Sequence, residues 1–352
     1  MTGGARPDDV AEVLDSASFE GAVPDVSVVV STYGRAAFLG ELLEALRSQS
    51  LDHASFEVVI VDDASVDGTW AALGEAAGTT SLRLRVLRRV VNGGQGAGRN
   101  TGVRWSRAPV VAFTDDDCVP APQWLEALTA PLRASHGEPP AVVAQGPTHA
   151  WAADAPSAGP WARTVWVTRP TWLFETCNIA YRRRDLEEAG GFPPRHEAPT
   201  GDAGRVVGED AILGWRVIEG GAHLAFAPGA LVHHRHLPAT YLQWLAEQRG
   251  RAVFAGLLRR SPLGQSVLWA PGFLAPRTAA FDLALLSGLA AAVRRRPRYA
   301  LGIVPWIWLA LPEAAGRRGR HPLVRLSQLA LGDLVAWTAM ARASVRHRRA
   351  VL

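Results

Sequence analysis

The chain has 352 residues, 48% of them apolar, which is enough for one large α/β domain with an appendage or for two domains and excludes global disorder. Its two cysteines, Cys118 and Cys177, form no C-x-x-C pair, which argues against a disulfide framework or a zinc knuckle and fits a reducing, intracellular setting. The formal charge of +4 hides an asymmetry: beyond Gly250, 16 arginines face three acids, a net of +13, while the first 250 residues carry 21 arginines and 30 acids, a net of −9, so the two halves meet different partners.

Residues 1–24 hold Asp8, Asp9, Glu12 and Asp15 where a secretory signal would be basic and then apolar, so they read as a flexible lead-in. Residues 26–30, Val-Ser-Val-Val-Val, are the β-branched run of a buried strand. A loop over 31–35 follows, and Phe38, Leu39, Leu42, Leu43 and Leu46 then recur at helical spacing. A second apolar run over 58–61 is closed by Asp62 and Asp63, and Asp67-Gly68 marks the turn before a helix around Trp70. Residues 82–91 read as a third strand, 92–100 as a glycine-rich loop, and 110–113 as a fourth strand ending in Thr114-Asp115-Asp116-Asp117. Alternating strands and helices predict an open, mostly parallel α/β sheet that binds ligands at the carboxyl ends of its strands. Both acidic clusters fall there.

Residues 138–175 show no period and are expected to contain a mobile loop. Patterned sequence resumes at Asn178-Ile179-Ala180-Tyr181, and Gly208-Glu209-Asp210 opens a helix containing Trp215 and Val217. Residues 222–236 read as a final strand running into a histidine-rich loop. Beyond 262, apolar stretches over 279–293, 299–311 and 329–341 alternate with arginine clusters. Each is shorter than the roughly 20 residues that cross a bilayer, and Asp282 and Asp333 interrupt two of them.

Three carboxylates crowded at a strand end repel one another, and a hard divalent cation, Mg²⁺ or Mn²⁺, resolves the repulsion together with substrate phosphates. A solvated loop tip is the plainer reading of the same triplet. Of Asp62 and Asp63, one, chiefly Asp63, suits a base imide or ribose hydroxyl, where the alternative is a turn or cap. The glycine-rich segment fails the G-x-G-x-x-G test, so it does not mark a dinucleotide site. It reads either as a turn or as backbone that approaches a nucleotide, with Arg99 offering charge to a diphosphate. Glu209 and Asp210 are candidates for a general base at a helix N-terminus, where capping is the structural alternative. Among His233, His234 and His236, His234 is the candidate to complete a metal shell, against the ordinary expectation of solvated histidines.

Taken as an ordered set, these segments resemble family 2 glycosyltransferases, which have the GT-A fold. The resemblance rests on residues 28–35 (Val-Val-Val-Ser-Thr-Tyr-Gly-Arg), 61–69 (Val-Asp-Asp-Ala-Ser-Val-Asp-Gly-Thr), Gly98-Arg99-Asn100, 114–120 (Thr-Asp-Asp-Asp-Cys-Val-Pro), 178–183, Gly190-Gly191-Phe192 and Gly208-Glu209-Asp210. It implies a catalytic domain over 25–250, with a nucleotide-binding half over 25–120 and an acceptor half over 121–250, followed by a helical extension over 262–352. It implies nucleotide-sugar contacts from Thr32, Tyr33, Arg35, Asp63, Arg99, Asp115 and Asp116. Metal ligation falls to Asp117 and Asp115 with His234, and base catalysis to Asp210 beside Glu209. The implied reaction is single-displacement transfer, with inversion, from a nucleoside-diphosphate sugar to an acceptor hydroxyl, in cell-surface glycan or glycolipid synthesis. Pro193-Pro194 departs from the acidic residue common after Gly-Gly-Phe and touches only the acceptor wall. A nucleotidyltransferase would show a glycine- and lysine-rich phosphate loop, and the chain has no lysine. A non-catalytic sugar-nucleotide-binding protein would be favoured by a broken acidic motif, and the motifs are intact. The basic tail, interleaved with apolar runs, suits a lipid surface rather than nucleic acid. The expected location is the cytoplasmic face of the cell membrane, with the extension either lying on lipid or packing as helices.

Overall fold

The computed structural model describes residues 9–133, 143–155, 158–197, 207–316, 321–348 and 351. They fall into two compact units. Among the described residues the first comprises 9–155, 164–197 and 208–236, and the second 158–163, 207 and 237–351.

The first unit is built on strands β1 (Val10–Asp15), β2 (Val26–Thr32), β3 (Phe56–Asp62), β4 (Leu84–Arg89) and β5 (Val110–Phe113). Short strands β6 (Cys118–Pro120), β7 (Val143–Gln145), β8 (Thr148–Ala150), β9 (Ile179–Arg182), β10 (Leu224–Phe226) and β11 (Val232–His234) follow. Eight of them form one sheet in the order β1-β4-β3-β2-β5-β9-β7-β10, in which β2, β3, β4 and β5 are parallel neighbours. Every residue of β2 and β3 is buried, as central parallel strands covered on both faces require. The core joins Val28, Val30, Val58 and Ile60 to Leu39, Leu42 and Leu46 of helix α1 (Ala36–Arg47) and to Leu73 of α2 (Thr69–Thr79).

Three expectations change. The lead-in is not uniformly flexible: β1 pairs antiparallel with β4, and Arg85–Asp15 and Arg88–Glu12 ion pairs lie across the junction. Its acids are therefore cross-strand partners of β4 arginines rather than solvated tail charges. The glycine-rich loop is mostly helix: α3 (Gln95–Trp105) begins after Gly94, whose φ is +88°. A methyl group at Gly98 would lie 2.1 Å from Ser31 Oγ, and one at Gly102 2.4 Å from Val29 Cγ1. These glycines bring a helix against β2, a task whose spacing resembles a loop signal in sequence. Finally, the strand expected over 222–236 is two strands. β10 joins the large sheet, while β11 forms a small sheet in the order β6-β11-β8, so His233 and His234 lie on a strand. Within 138–175 the described part holds β7 and β8; residues 138–142, 156 and 157 lie outside the described residues. Helix α4 (Trp124–Arg133) precedes them, and α5 (Arg183–Glu188) and α6 (Glu209–Glu219) complete this unit.

The second unit is helical: α7 (Tyr241–Glu247), α8 (Val253–Leu257), α9 (Pro276–Arg294), α10 (Val304–Gly316) and α11 (Pro322–His347). It begins at 237, earlier than the 250 and 262 boundaries expected, because Thr240 caps α7 in a capping box and Tyr241 and Trp244 pack at a tilt against Trp161. Phe281, Trp306, Ala310 and Leu329 complete its core. Asp333 accepts hydrogen bonds from Arg277 Nε and Trp306 Nε1, both at 2.8 Å, so this acid is an internal partner rather than an interruption of an apolar surface. Among the described residues no helix is long and apolar enough to cross a membrane.

Candidate active site

Because β2, β3 and β5 run parallel, Thr32, Asp62 and the 114–117 segment emerge at one edge of the sheet. The three consecutive aspartates there take three different partners. Asp115 pairs with Arg99 at 2.7 Å. Asp116 accepts a hydrogen bond from Thr32 Oγ1 at 2.6 Å. Burial pushes Asp116 up to about 7, and the charge of Asp117 adds to the shift. Asp117 lies between Arg35 Nη1 at 3.2 Å and His234 Nε2 at 3.4 Å. Burial raises its pKa, against the pull of His234. The triplet is thus divided: Asp115, expected beside a metal, is held by a guanidinium, and Cys118 stands with Asp117 and His234 instead.

Asp117, Cys118 and His234 place ligand atoms within 4.8 Å of one another. His234 Nδ1 lies 2.8 Å from the Arg235 carbonyl oxygen, which can only accept, so Nδ1 carries a proton. Nε2 faces the Asp117 carboxylate. A carboxylate oxygen and an imidazole nitrogen this close can share a cation, and the Arg235 carbonyl orients the ring as metal ligands commonly require. The carboxylate oxygen suits Mn²⁺ or Mg²⁺, and the imidazole nitrogen favours the softer Mn²⁺ of the two. Cys118 fits poorly: burial raises its thiol pKa well above the ordinary value, and a protonated soft ligand has little affinity for a hard ion.

The acid expected at the nucleobase is already engaged. Asp63 accepts from Arg89 Nη1, from Gly93 N at 3.1 Å and from Gly94 N at 2.8 Å, and so closes the turn before α3. Asp62, wholly buried, accepts from Ser65 N at 3.0 Å, while its Oδ2 has no hydrogen-bond partner among the described residues. Between β3 and α2, Ala64 sits at φ +63°, a strained conformation for a residue with a Cβ. At the end of β2, Tyr33 is 49% exposed and offers an aromatic face, and the Arg35 side chain, 32% exposed, is the accessible cation. Arg99 is not accessible in this way; it is buried. Burial opposes its charge, but Asp115, Glu209 and Asp210 outweigh that and hold its pKa above the ordinary arginine value.

Glu209 and Asp210 open α6, whose N-cap Gly208 has φ +82°. Asp210 is half-buried and pushed up to about 7, chiefly by desolvation and then by Glu209, with Arg99 opposing. Glu209 Oε2 has no hydrogen-bond partner among the described residues. Two residues not singled out in the sequence join this group. Glu175 is a charge neighbour of Asp210 and is hydrogen-bonded by Gln145 Nε2 at 2.9 Å and by Thr171. Phe174, at φ +53° and fully buried, lies where a Cβ on Gly214 of α6 would come within 2.1 Å of its ring. Only the fold brings the 171–175 segment to α6, and no sequence spacing signals it. Of the other histidines, His233 stacks edge-on with Trp151, and His236 accompanies Arg235 at Asp154.

Residues 27–188 match the sequence profile of Glycosyl transferase family 2. This segment resembles a family 2 glycosyltransferase domain. Glycosyltransferase AglE of Haloferax volcanii is 36% identical over 104 residues, 30% of this chain and 34% of that protein. The chain thus spans about a third of that curated relative, and 45% of the pre-mycofactocin glycosyltransferase of Mycobacterium tuberculosis, to which it is 29% identical. Mannosyltransferase PcManGT of Pyrobaculum calidifontis, solved in complex with GDP-Man and Mn²⁺, superposes with a TM-score of 0.52 at 20% identity, covering 95% of this chain and 89% of that one. These likenesses establish the GT-A fold. The family 2 segment contains Thr32, Asp63, Arg99 and Asp115–Asp117; Glu209, Asp210 and His234 lie beyond it, and the fold brings them to it through Arg99 and Asp117.

Proposed function

We propose that the chain is an inverting glycosyltransferase that moves a sugar from a nucleoside-diphosphate sugar to an acceptor hydroxyl. The observation that carries this is Asp210: a half-buried carboxylate at the start of α6, lifted to about 7, that shares Arg99 as a charge neighbour with Asp115. A base with a pKa near the working pH accepts a proton well while a substantial fraction of it stays ionised.

In this reading the acceptor oxygen attacks the anomeric carbon from the face opposite the diphosphate. A carbon–oxygen bond forms there as the bond to the diphosphate breaks; the electron pair leaves with the diphosphate and the acceptor proton passes to Asp210. Arg99 holds Asp115 and the acids of α6 in one cluster. Arg35, partly exposed, is the cation for the diphosphate, and Tyr33 offers a ring for the base to stack on. Asp117 and His234 would hold Mn²⁺ or Mg²⁺, which when bound supplies positive charge to the departing diphosphate. The acceptor is proposed to be a lipid-linked or cell-surface glycan, met at the inner face of the cell membrane, a reading supported by the basic, apolar second unit.

The test is a panel of nucleotide sugars, scored by metal-dependent thermal stabilisation and by release of nucleoside diphosphate with an acceptor present. Stabilisation by one donor class, with turnover lost in Asp210→Asn, supports the proposal. Stabilisation with turnover unchanged in that variant removes Asp210 from the chemistry.

A further inference from the structure

The second unit carries a surface that its own packing leaves unused. Helices α9 and α10 pack on each other and are joined by a tight 3₁₀ segment, Pro297–Ile303. Phe281, Trp306, Ala310 and Ala314 turn inward to the core. Leu286, Leu289 and Val293 of α9, Leu301 of the connection, and Val304 and Trp308 of α10 turn outward, each at least 56% exposed. Single exposed aliphatic residues are ordinary, but six on one hairpin make an apolar surface that calls for a partner.

The charge on the hairpin narrows the choice. Arg294, Arg295, Arg296 and Arg298 are all exposed at the junction beside Val293. The only acids within α9 and α10 are Asp282 and Glu313. Asp282 is hydrogen-bonded by Trp337 and Glu313 is ion-paired with Arg277, so neither neutralises the arginine turn. The exposed surface is therefore leucine-rich and cationic. A second copy of the same surface would bring no acid to meet these arginines. An anionic bilayer supplies both what the leucines and what the arginines lack: an acyl boundary and headgroup phosphates.

We propose that the α9–α10 hairpin is a docking surface for an anionic lipid bilayer, lying in the interface with the arginine turn among the headgroups. It lies there rather than spanning, since no described helix is long and apolar enough to cross. Trp308, 76% exposed, is of the residue type enriched at that depth. The proposal deepens the membrane half of the functional reading and does not depend on its chemistry.

The test is flotation of the full chain with phosphatidylcholine vesicles, with and without about one-third phosphatidylglycerol. The chain should float with the anionic vesicles at low salt and be released by high salt. Arg294→Gln and Arg296→Gln should each weaken vesicle affinity about fivefold. Leu286→Asp with Leu289→Asp should abolish flotation while leaving thermal melting unchanged, since both positions are exposed. Absence of flotation with anionic vesicles at low salt overturns the proposal, as does flotation indifferent to all four substitutions. Lipid-free dimerisation that Leu286→Asp dissolves overturns it too, and assigns the surface to a second copy. Nucleotide-sugar stabilisation measured on the same samples separates the two readings: a chain that floats but binds no donor keeps the docking surface and loses the glycosyl transfer.

Discussion

In the proposed reaction, Asp210 sets the pH behaviour. Its carboxyl is held up to about 7 by burial and by Glu209, so a falling pH protonates it and removes the base. Turnover should rise about tenfold per pH unit below 7 and level off above it. In Asp210→Asn the same profile should be flat, with turnover lower by roughly 10²–10⁴-fold and donor affinity nearly unchanged. A fall in donor affinity instead would make Asp210 a binding or capping residue. A second prediction separates the members of the proposed metal site. Asp117→Ala and His234→Ala should each abolish Mn²⁺-dependent stabilisation by the donor, whereas Cys118→Ser, which exchanges one buried protonated group for another, should retain it. A Mn²⁺ titration followed by thermal shift reads all three. At this scale the sequence revealed which residues gather at the sheet edge but not how they pair. Three adjacent aspartates look equivalent in a row of letters, yet Arg99, Thr32 and His234 come from three separate elements and give each one a different environment.

The elements themselves were largely legible. The apolar runs at β2, β3, β4 and β5 fall where period and β-branching place them, because central parallel strands bury both faces and leave little polar pattern to mislead. The misreadings came where one residue type serves two purposes. Glycines over 93–102 suggested a loop, but Gly98 and Gly102 are helical positions pressed onto β2. Gly102→Ala should therefore destabilise the protein by about 1–3 kcal/mol through overpacking against Val29. Gly40, exposed in the interior of α1 with nothing within 4 Å of its Cβ position, is the control. Gly40→Ala should stabilise by up to about 1 kcal/mol, since alanine is the better helix former. Thermal melting of the two variants should move in opposite directions; a shared direction would mean that α3 does not approach β2 as closely as described. Short strands such as β8 and β11, of three residues each, carry too little pattern to be read before the fold is known.

At the scale of the molecule, the charge contrast between the two parts of the chain was plain in the sequence, and the division at 236–237 was not. The sequence changes texture at the first long apolar stretch, but the second unit begins earlier, with a capped helix whose aromatic partner, Trp161, is some eighty residues upstream. Each unit has its own core, so a chain ending at His236 should keep donor-induced stabilisation and lose vesicle binding. Loss of both would tie the nucleotide site to residues beyond 236. The amino-terminal strand has a practical consequence for anyone preparing this protein. Its sequence invites trimming, yet β1 closes one margin of the eight-stranded sheet, and Asp9 also holds Thr101 and Arg104 of α3. A protein shortened to begin at residue 17 would present the backbone of β4 as an open edge, with Arg85 stripped of Asp15 and Arg88 of Glu12. Such an edge recruits other strands, so the trimmed material should elute as aggregate from a sizing column where the untrimmed chain does not.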